Sequence, residues 1–316
     1  MAHIYVFSPA GAVSDKASFK RGVARLRQLG HEVEVDPDAL RTHQRFAGTD
    51  AQRTAAFARA AASGADWAII SRGGYGTTRL LDHLPYAAIQ ASIKKGMQWM
   101  GYSDFTAFQC ALWQARQSPS WAGVSVVGDL GTEAPDDITL ACLEDVLNHT
   151  SEGTGWRLKR ADRPQGDDPG AAKQGLPEDA QLARQATLWG GNLTMLTSLM
   201  GTRHFPQIKK GVLFLEDVGE HPYRIERMLN QLLQGGVIQA QQLVVLGQFT
   251  QYQLHAMDRG FNMAKVVGWL RSQTRTPVIT GLPFGHVATK VCLPFGVKVD
   301  VATQGQDALI LWGHTH

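Results

Sequence analysis

Four short segments carry residues able to do chemistry. In Gly101-Tyr102-Ser103-Asp104-Phe105-Thr106 a hydroxyl stands between an apolar strand pattern and a helical one, with Phe108, Leu112 and Ala115 at helical spacing. A serine at such a corner is held up from the sheet edge, as in a nucleophile elbow. The N–H groups that open the helix can then stabilise an oxyanion. Serine is also a preferred helix cap, so the pattern leaves Ser103 as either cap or nucleophile. Phe105 stands where G-x-S-x-G needs its second glycine, which argues against a plain α/β-hydrolase.

The second segment is Ser71-Arg72-Gly73-Gly74-Tyr75-Gly76-Thr77, between a strand and a helix pattern. Paired glycines let the backbone approach a ligand and turn N–H groups toward negative charge. The segment matches neither G-x-x-x-x-G-K-[ST] nor G-x-G-x-x-G, so a phosphate loop, a tight turn and an oxyanion-hole wall all stay open. The third segment, Gly211–Val218, places Glu216 and Asp217 at the end of an apolar strand. A strand-terminal acid can orient a histidine, or can simply cap a turn, and Asp217 and Glu220 compete with Glu216 for the first role. The fourth, Gly281-Leu282-Pro283-Phe284-Gly285-His286-Val287, sets a histidine in a glycine- and proline-bounded loop. Histidine titrates near neutrality and suits a general base, although lone histidines are also structural. No H-E-x-x-H or Cys/His spacing points to a metal, and no cofactor is expected.

The elements that must position these residues alternate in type. Ile4–Phe7, His31–Val35, Trp67–Ile70 and Met97–Met100 read as strands. Helices are expected over 16–29, over 50–63 and through Leu80-Leu81, which predicts a mostly parallel sheet flanked by helices. Residues 151–186 are rich in glycine, proline and aspartate and read as a linker between an N-terminal domain (1–150) and a C-terminal domain (187–316). Beyond it come helices near 191–200 and 222–234. Strands are expected at 212–215, 243–246, 278–280, 297–301 and 308–312. The fold class is therefore α/β, with a strand-rich C-terminal α/β domain. The basic cluster at 157–163 is read as part of a solvated linker, and His314 and His316 as a frayed end.

Composition narrows the classes. The chain has 316 residues, enough for two domains at ~150 residues each. A net charge of +3 with mixed signs argues against a nucleic-acid binder. No apolar run nears the ~20 residues needed to span a membrane, and no signal peptide is visible. The three cysteines form no CxxC pair and suit a reducing compartment, so the protein is expected to be cytoplasmic.

In order and combination, Ser8-Pro9-Ala10-Gly11, S-R-G-G-Y-G-T-T-R-L-L (71–81), G-Y-S-D-F-T-A-F (101–108), L-E-D-V-G-E-H-P-Y-R-I-E-R-M-L (215–229) and L-P-F-G-H (282–286) resemble the LD-carboxypeptidase family. Its members are also called muramoyltetrapeptide carboxypeptidases, and the microcin C immunity peptidases are close relatives. The likeness runs from about residue 4 to 301. It implies Ser103 as nucleophile, Glu216 as acid and His286 as base. The N–H groups of Gly74 (or Gly73) and Asp104 would form the oxyanion hole, with Arg72, Gly73 and Tyr75 against the substrate. It also implies an active site between two domains, a homodimer, and release of terminal D-alanine from muropeptide tetrapeptides during wall recycling. Hydrolysis of a peptidyl-nucleotide toxin, or ligand binding on a degenerate scaffold, are the rival readings. One departure stands out. Where family members often show His-Gly-Pro, this chain reads Trp121-Ala122-Gly123-Val124-Ser125-Val126-Val127-Gly128-Asp129.

Overall fold

The computed structural model describes residues 1–158, 162 and 179–313. Five strands run parallel in the first sheet: β1 (His3–Phe7), β2 (Glu32–Val35), β3 (Trp67–Ile70), β4 (Gln98–Gly101) and β5 (Ser120–Ala122), in the order β2-β1-β3-β4-β5. Trp67-Ala68-Ile69-Ile70 is buried throughout, as a strand covered on both faces requires. Helix α1 (Lys16–Gln28) is capped by Asp15 and buries Phe19, Val23 and Leu26. Helix α2 (Asp50–Ala62) begins with a Thr49/Gln52 capping box.

The helix expected through Leu80-Leu81 is absent. A single 3-10 turn covers Thr77–Arg79, and helix α3 (Tyr86–Lys94) starts only after Pro85. Proline disfavours helical backbone at the residue before it and pre-sets the first turn after it, which accounts for the break. Helix α4 (Thr106–Arg116) follows the Ser103 turn, and α5 (Asp137–Leu147) is capped by Asp136.

The predicted linker is only partly a connector. Gly153–Arg157 form strand β6, and β7 (Gln181–Asn192) begins at 181, short of the expected end at 186. Gly153 and Gly155 serve cross-strand packing, since a Cβ on Gly153 would lie 2.7 Å from Ile310 O and one on Gly155 2.7 Å from Leu309 Cδ2. Gly166, Gly170 and Gly175 lie outside the described residues. Of the basic cluster, Arg157 is in β6 and Asp162 is buried, accepting hydrogen bonds from Thr280 and pairing with Arg271. Lys159, Arg160 and Arg163, with His314 and His316, lie outside the described residues.

The second sheet is mixed. Strands β7, β8 (Val212–Val218), β9 (Leu243–Thr250) and β10 (Val278–Thr280) are parallel, with helices α6 (Leu193–Ser198), α7 (Pro222–Gln234) and α8 (Met263–Gln273). On the other side of β7 come antiparallel β12 (Lys298–Gln304), β13 (Asp307–Leu311) and β6. Strand β11 (Leu293–Phe295) lies late in the chain yet pairs antiparallel with β5, becoming an edge of the first sheet. This return sets the His286 loop against the end of β4.

Candidate active site

Ser103 adopts φ 64°, a left-handed conformation that costs a residue with a Cβ about 1–3 kcal/mol. Its neighbours leave it little choice. A Cβ on Gly101 would lie 2.7 Å from the Phe105 ring, and one on Gly73 would lie 2.8 Å from Ser103 Cβ. Phe105 departs from the glycine of G-x-S-x-G because its ring is core. It packs on Phe108 at 4.6 Å between centroids. The buried Asp104 carboxylate accepts the Thr77 N–H at 2.8 Å, tying the Arg72–Gly76 loop to the serine turn. Burial raises the Asp104 pKa above the ordinary carboxylate range.

The acid comes from the second sheet. Register places Asn192 of β7 opposite Glu216 of β8, and the β8–β9 ladder slips between Leu215 and Asp217. In a regular strand Glu216 and Asp217 would point to opposite faces. With the slip, one Asn192 amide donates to both, at 3.1 Å to Glu216 Oε1 and 3.1 Å to Asp217 Oδ1. Glu216 has no exposed surface. The other Asp217 oxygen accepts from the Thr194 N–H and hydroxyl. Burial, reinforced by the Glu216 charge, raises the Asp217 pKa. Glu220 pairs with Arg224 at 3.5 Å.

His286 joins the two sides. Its Nδ1 is 2.9 Å from Glu216 Oε2 and its Nε2 is 3.1 Å from Ser103 Oγ. With Glu216 ionised, Nδ1 carries the proton and donates to the carboxylate, which leaves Nε2 free to accept from the serine hydroxyl. Gly285, at φ 137°, lets the loop cross this close, because a Cβ there would lie 3.1 Å from Glu216 Oε2. Sequence reasoning named Ser103, Glu216 and His286, and the structure brings all three into one hydrogen-bonded chain. Of the competing acids, neither Asp217 nor Glu220 bonds the imidazole.

Other neighbours were not anticipated. The Tyr102 ring lies 5.0 Å from that of His286, and Lys290 Nζ sits 3.3 Å from the Tyr102 centroid. Lys290 is wholly buried and donates to Asp129 at 2.7 Å. Burial pushes the Tyr102 pKa well above its ordinary value. Asp129 closes the segment that departs from the family pattern, and its other oxygen accepts the Ser125 N–H at 2.7 Å. Only the Gly-Gly-Asn run ending β7 offered a signal for Asn192, and nothing local marked Lys290 or Asp129. A cleft of about 280 Å³ opens over Ser103 and His286, bordered by Arg72, Gly73, Gly74 and Ser125. Tyr75 is half exposed beside it, in the wall of an adjoining recess. Among the described residues no His, Cys, Asp and Glu side chains cluster as a metal site, and no helix is long and apolar enough to cross a membrane.

A hydroxyl, an imidazole and a buried carboxylate in series, over a cleft walled by glycine backbone, can relay a proton for acyl transfer. Comparison with known proteins agrees with that class. Residues 4–123 match the LD-carboxypeptidase N-terminal domain and 185–301 the LD-carboxypeptidase C-terminal domain. The chain belongs to the LD-carboxypeptidase family. It is similar to the crystal structure of muramoyltetrapeptide carboxypeptidase from Oxalobacter formigenes, with 35% identity, a TM-score of 0.85 and 98% of each chain covered. It is 30% identical to the murein tetrapeptide carboxypeptidase of Pseudomonas aeruginosa over 71% of this chain and 68% of that one. The microcin C7 self-immunity protein MccF of Escherichia coli is 24% identical over 93% of this chain and 88% of its own.

Proposed function

We propose that the protein is a serine carboxypeptidase that releases the terminal D-alanine from muropeptide tetrapeptides, acting in the cytoplasm in wall recycling. The observation that carries this reading is the continuous Ser103–His286–Glu216 hydrogen-bond chain. Ser103 Oγ attacks the carbonyl before D-alanine while His286 Nε2 takes its proton. Glu216 holds the tautomer and stabilises the imidazolium that forms. The negative oxygen is received by the N–H groups of Gly74 (or Gly73) and Asp104, each donor contributing about 3 kcal/mol. His286 then protonates the departing amine, and water repeats the sequence to release the shortened peptide. The substrate class rests on the Oxalobacter and Pseudomonas relatives, both named as carboxypeptidases of tetrapeptides. A homodimer is part of the same reading, and sedimentation velocity measures it.

The similarity to the microcin immunity protein favours a second reading, in which the same residues hydrolyse a peptidyl-nucleotide. Incubation with a murein tetrapeptide and with a peptidyl-sulfamoyl adenylate, followed by mass spectrometry, separates the two. Loss of one alanine residue from the tetrapeptide by wild type and not by Ser103→Ala is the expected result. Turnover of the adenylate alone replaces the first reading with the second, and turnover by Ser103→Ala ends both.

A further inference from the structure

Lys290 is the one buried lysine among the described residues, where every other lysine is exposed. Its ammonium is matched by Asp129, whose carboxylate is itself fixed by the Ser125 N–H at 2.7 Å and hydroxyl at 3.1 Å. An apolar pair of similar volume is often as stabilising as a buried ion pair, so fold stability alone gives these charges no purpose. What the pairing places is a cation 3.3 Å from the Tyr102 centroid, a distance reachable only over the ring face. Tyr102 in turn precedes Ser103, borders the catalytic cleft and lies 5.0 Å, centroid to centroid, from the His286 imidazole. The end of β4, the turn at 125–130 and the loop after β10 therefore meet around one aromatic ring.

We infer that Tyr102 is a positioning residue for the general base: its ring, anchored by the Lys290 ammonium, holds the His286 imidazole in line with Ser103. The inference rests on His286 acting as base in the proposed reaction. Hydrogen bonds fix the imidazole at its two nitrogens, Nδ1 to Glu216 at 2.9 Å and Nε2 to Ser103 at 3.1 Å. They leave it able to swing about the line joining those nitrogens, which tilts the Nε2 lone pair away from the hydroxyl. The preceding residue, Gly285, has no side chain to brace it, and the imidazole is 20% exposed. An aromatic ring packed against the imidazole stops that swing. A desolvated cation on the aromatic face keeps the ring itself from turning.

The test compares Tyr102→Leu, Tyr102→Phe and the paired change of Lys290→Met with Asp129→Asn, on a tetrapeptide ending in D-alanine. Tyr102→Leu should lower kcat about 30-fold or more and leave KM within about twofold of wild type, the pattern of a misaligned base. Tyr102→Phe keeps the ring and should lose no more than about threefold. The paired change removes the cation without stranding its carboxylate. Stability in urea should recover over Lys290→Met alone, while kcat stays about tenfold down. This variant decides the matter if Tyr102→Leu fails to fold. A kcat for Tyr102→Leu near wild type, a loss expressed in KM alone, or a kcat that recovers with stability in the paired change overturns the inference. A second arm needs no turnover. In long-range proton–nitrogen NMR spectra the His286 ring is assigned by its loss in His286→Ala. It should show only the Nδ1–H tautomer in wild type and Tyr102→Phe, and a mixture of tautomers in Tyr102→Leu. One tautomer pattern in all three proteins overturns the inference. If wild type cleaves no peptide the serine-carboxypeptidase reading fails, while the NMR arm still decides whether Tyr102 sets the imidazole.

Discussion

The turn around Ser103 is held mainly by contacts within its own sheet, with one bond from β7, where the Asn192 N–H donates to Thr106 Oγ1 at 3.0 Å, whereas the loop around His286 is held by several bonds that cross the molecule. At Ser103, Gly101 and Gly73 give way to Phe105 and to the serine itself, and Asp104 fastens the adjacent loop. At His286, Thr139 donates to Ala288 O at 2.8 Å and accepts the Lys290 N–H at 2.7 Å, while Thr289 donates to Asp136 at 2.7 Å. Those partners lie in α5 and its cap, about 150 residues earlier. The nucleophile turn is thus built mainly within the first sheet, and the base is placed by docking. Disturbing the first should damage chemistry with little loss of stability, and disturbing the second should damage both.

The largest effect expected is at Ser103. Ser103→Ala should lower kcat by about 10³-fold or more with a nearly unchanged melting temperature, since the hydroxyl is partly exposed and serves no core packing. His286→Ala should be as severe, and the double variant scarcely worse than either single, because groups acting as one unit are non-additive. Multiplicative losses in steady-state kinetics would show that the two act separately.

Glu216 and Asp217 sharpen the comparison from the acid side. Glu216→Gln should cost about 10²-fold or more in kcat, yet less than Ser103→Ala, because the acid orients and stabilises without transferring a proton. Asp217→Asn should cost less than Glu216→Gln. The reverse order, measured on one substrate, would reassign the acid.

Lys290 tests the docking side. Lys290→Met leaves Asp129 buried without its cation and should destabilise the fold by about 3–5 kcal/mol in urea melts. Adding Asp129→Asn should recover part of the loss. A melt as stable as wild type would mean that the buried pair does not hold the His286 loop.

The smallest effect concerns Asp104. Burial raises its folded pKa, so between the ordinary carboxylate value and that raised value the folded state holds more protons than the unfolded state. Stability from this group therefore falls as pH rises through that window. Asp104→Asn lacks this dependence, so the variant should gain on wild type in denaturation curves as pH rises from the ordinary carboxylate value through the raised one. A constant difference across pH would mean that Asp104 titrates as it does in the unfolded chain.

Much was legible in the sequence because it is written locally. The apolar runs of β1, β3 and β8 and the period of α7 state their own element type. The motifs around Ser103, Glu216 and His286 stand out by residue type and spacing. What needed tertiary structure was partnership. Gly153 and Gly155 look like linker residues until β13 lies against them, and Leu293–Phe295 does not announce that it pairs with β5, across the molecule. Asn192 reaches the acid pair only through the β7–β8 register and the slip beside it. Lys290 and Asp129 meet across 161 residues of sequence, where both are buried. Periodicity and turn chemistry act over a few residues, so one chain segment records them. Strand order, register and the burial of charge depend on segments far apart, and only the folded molecule decides them.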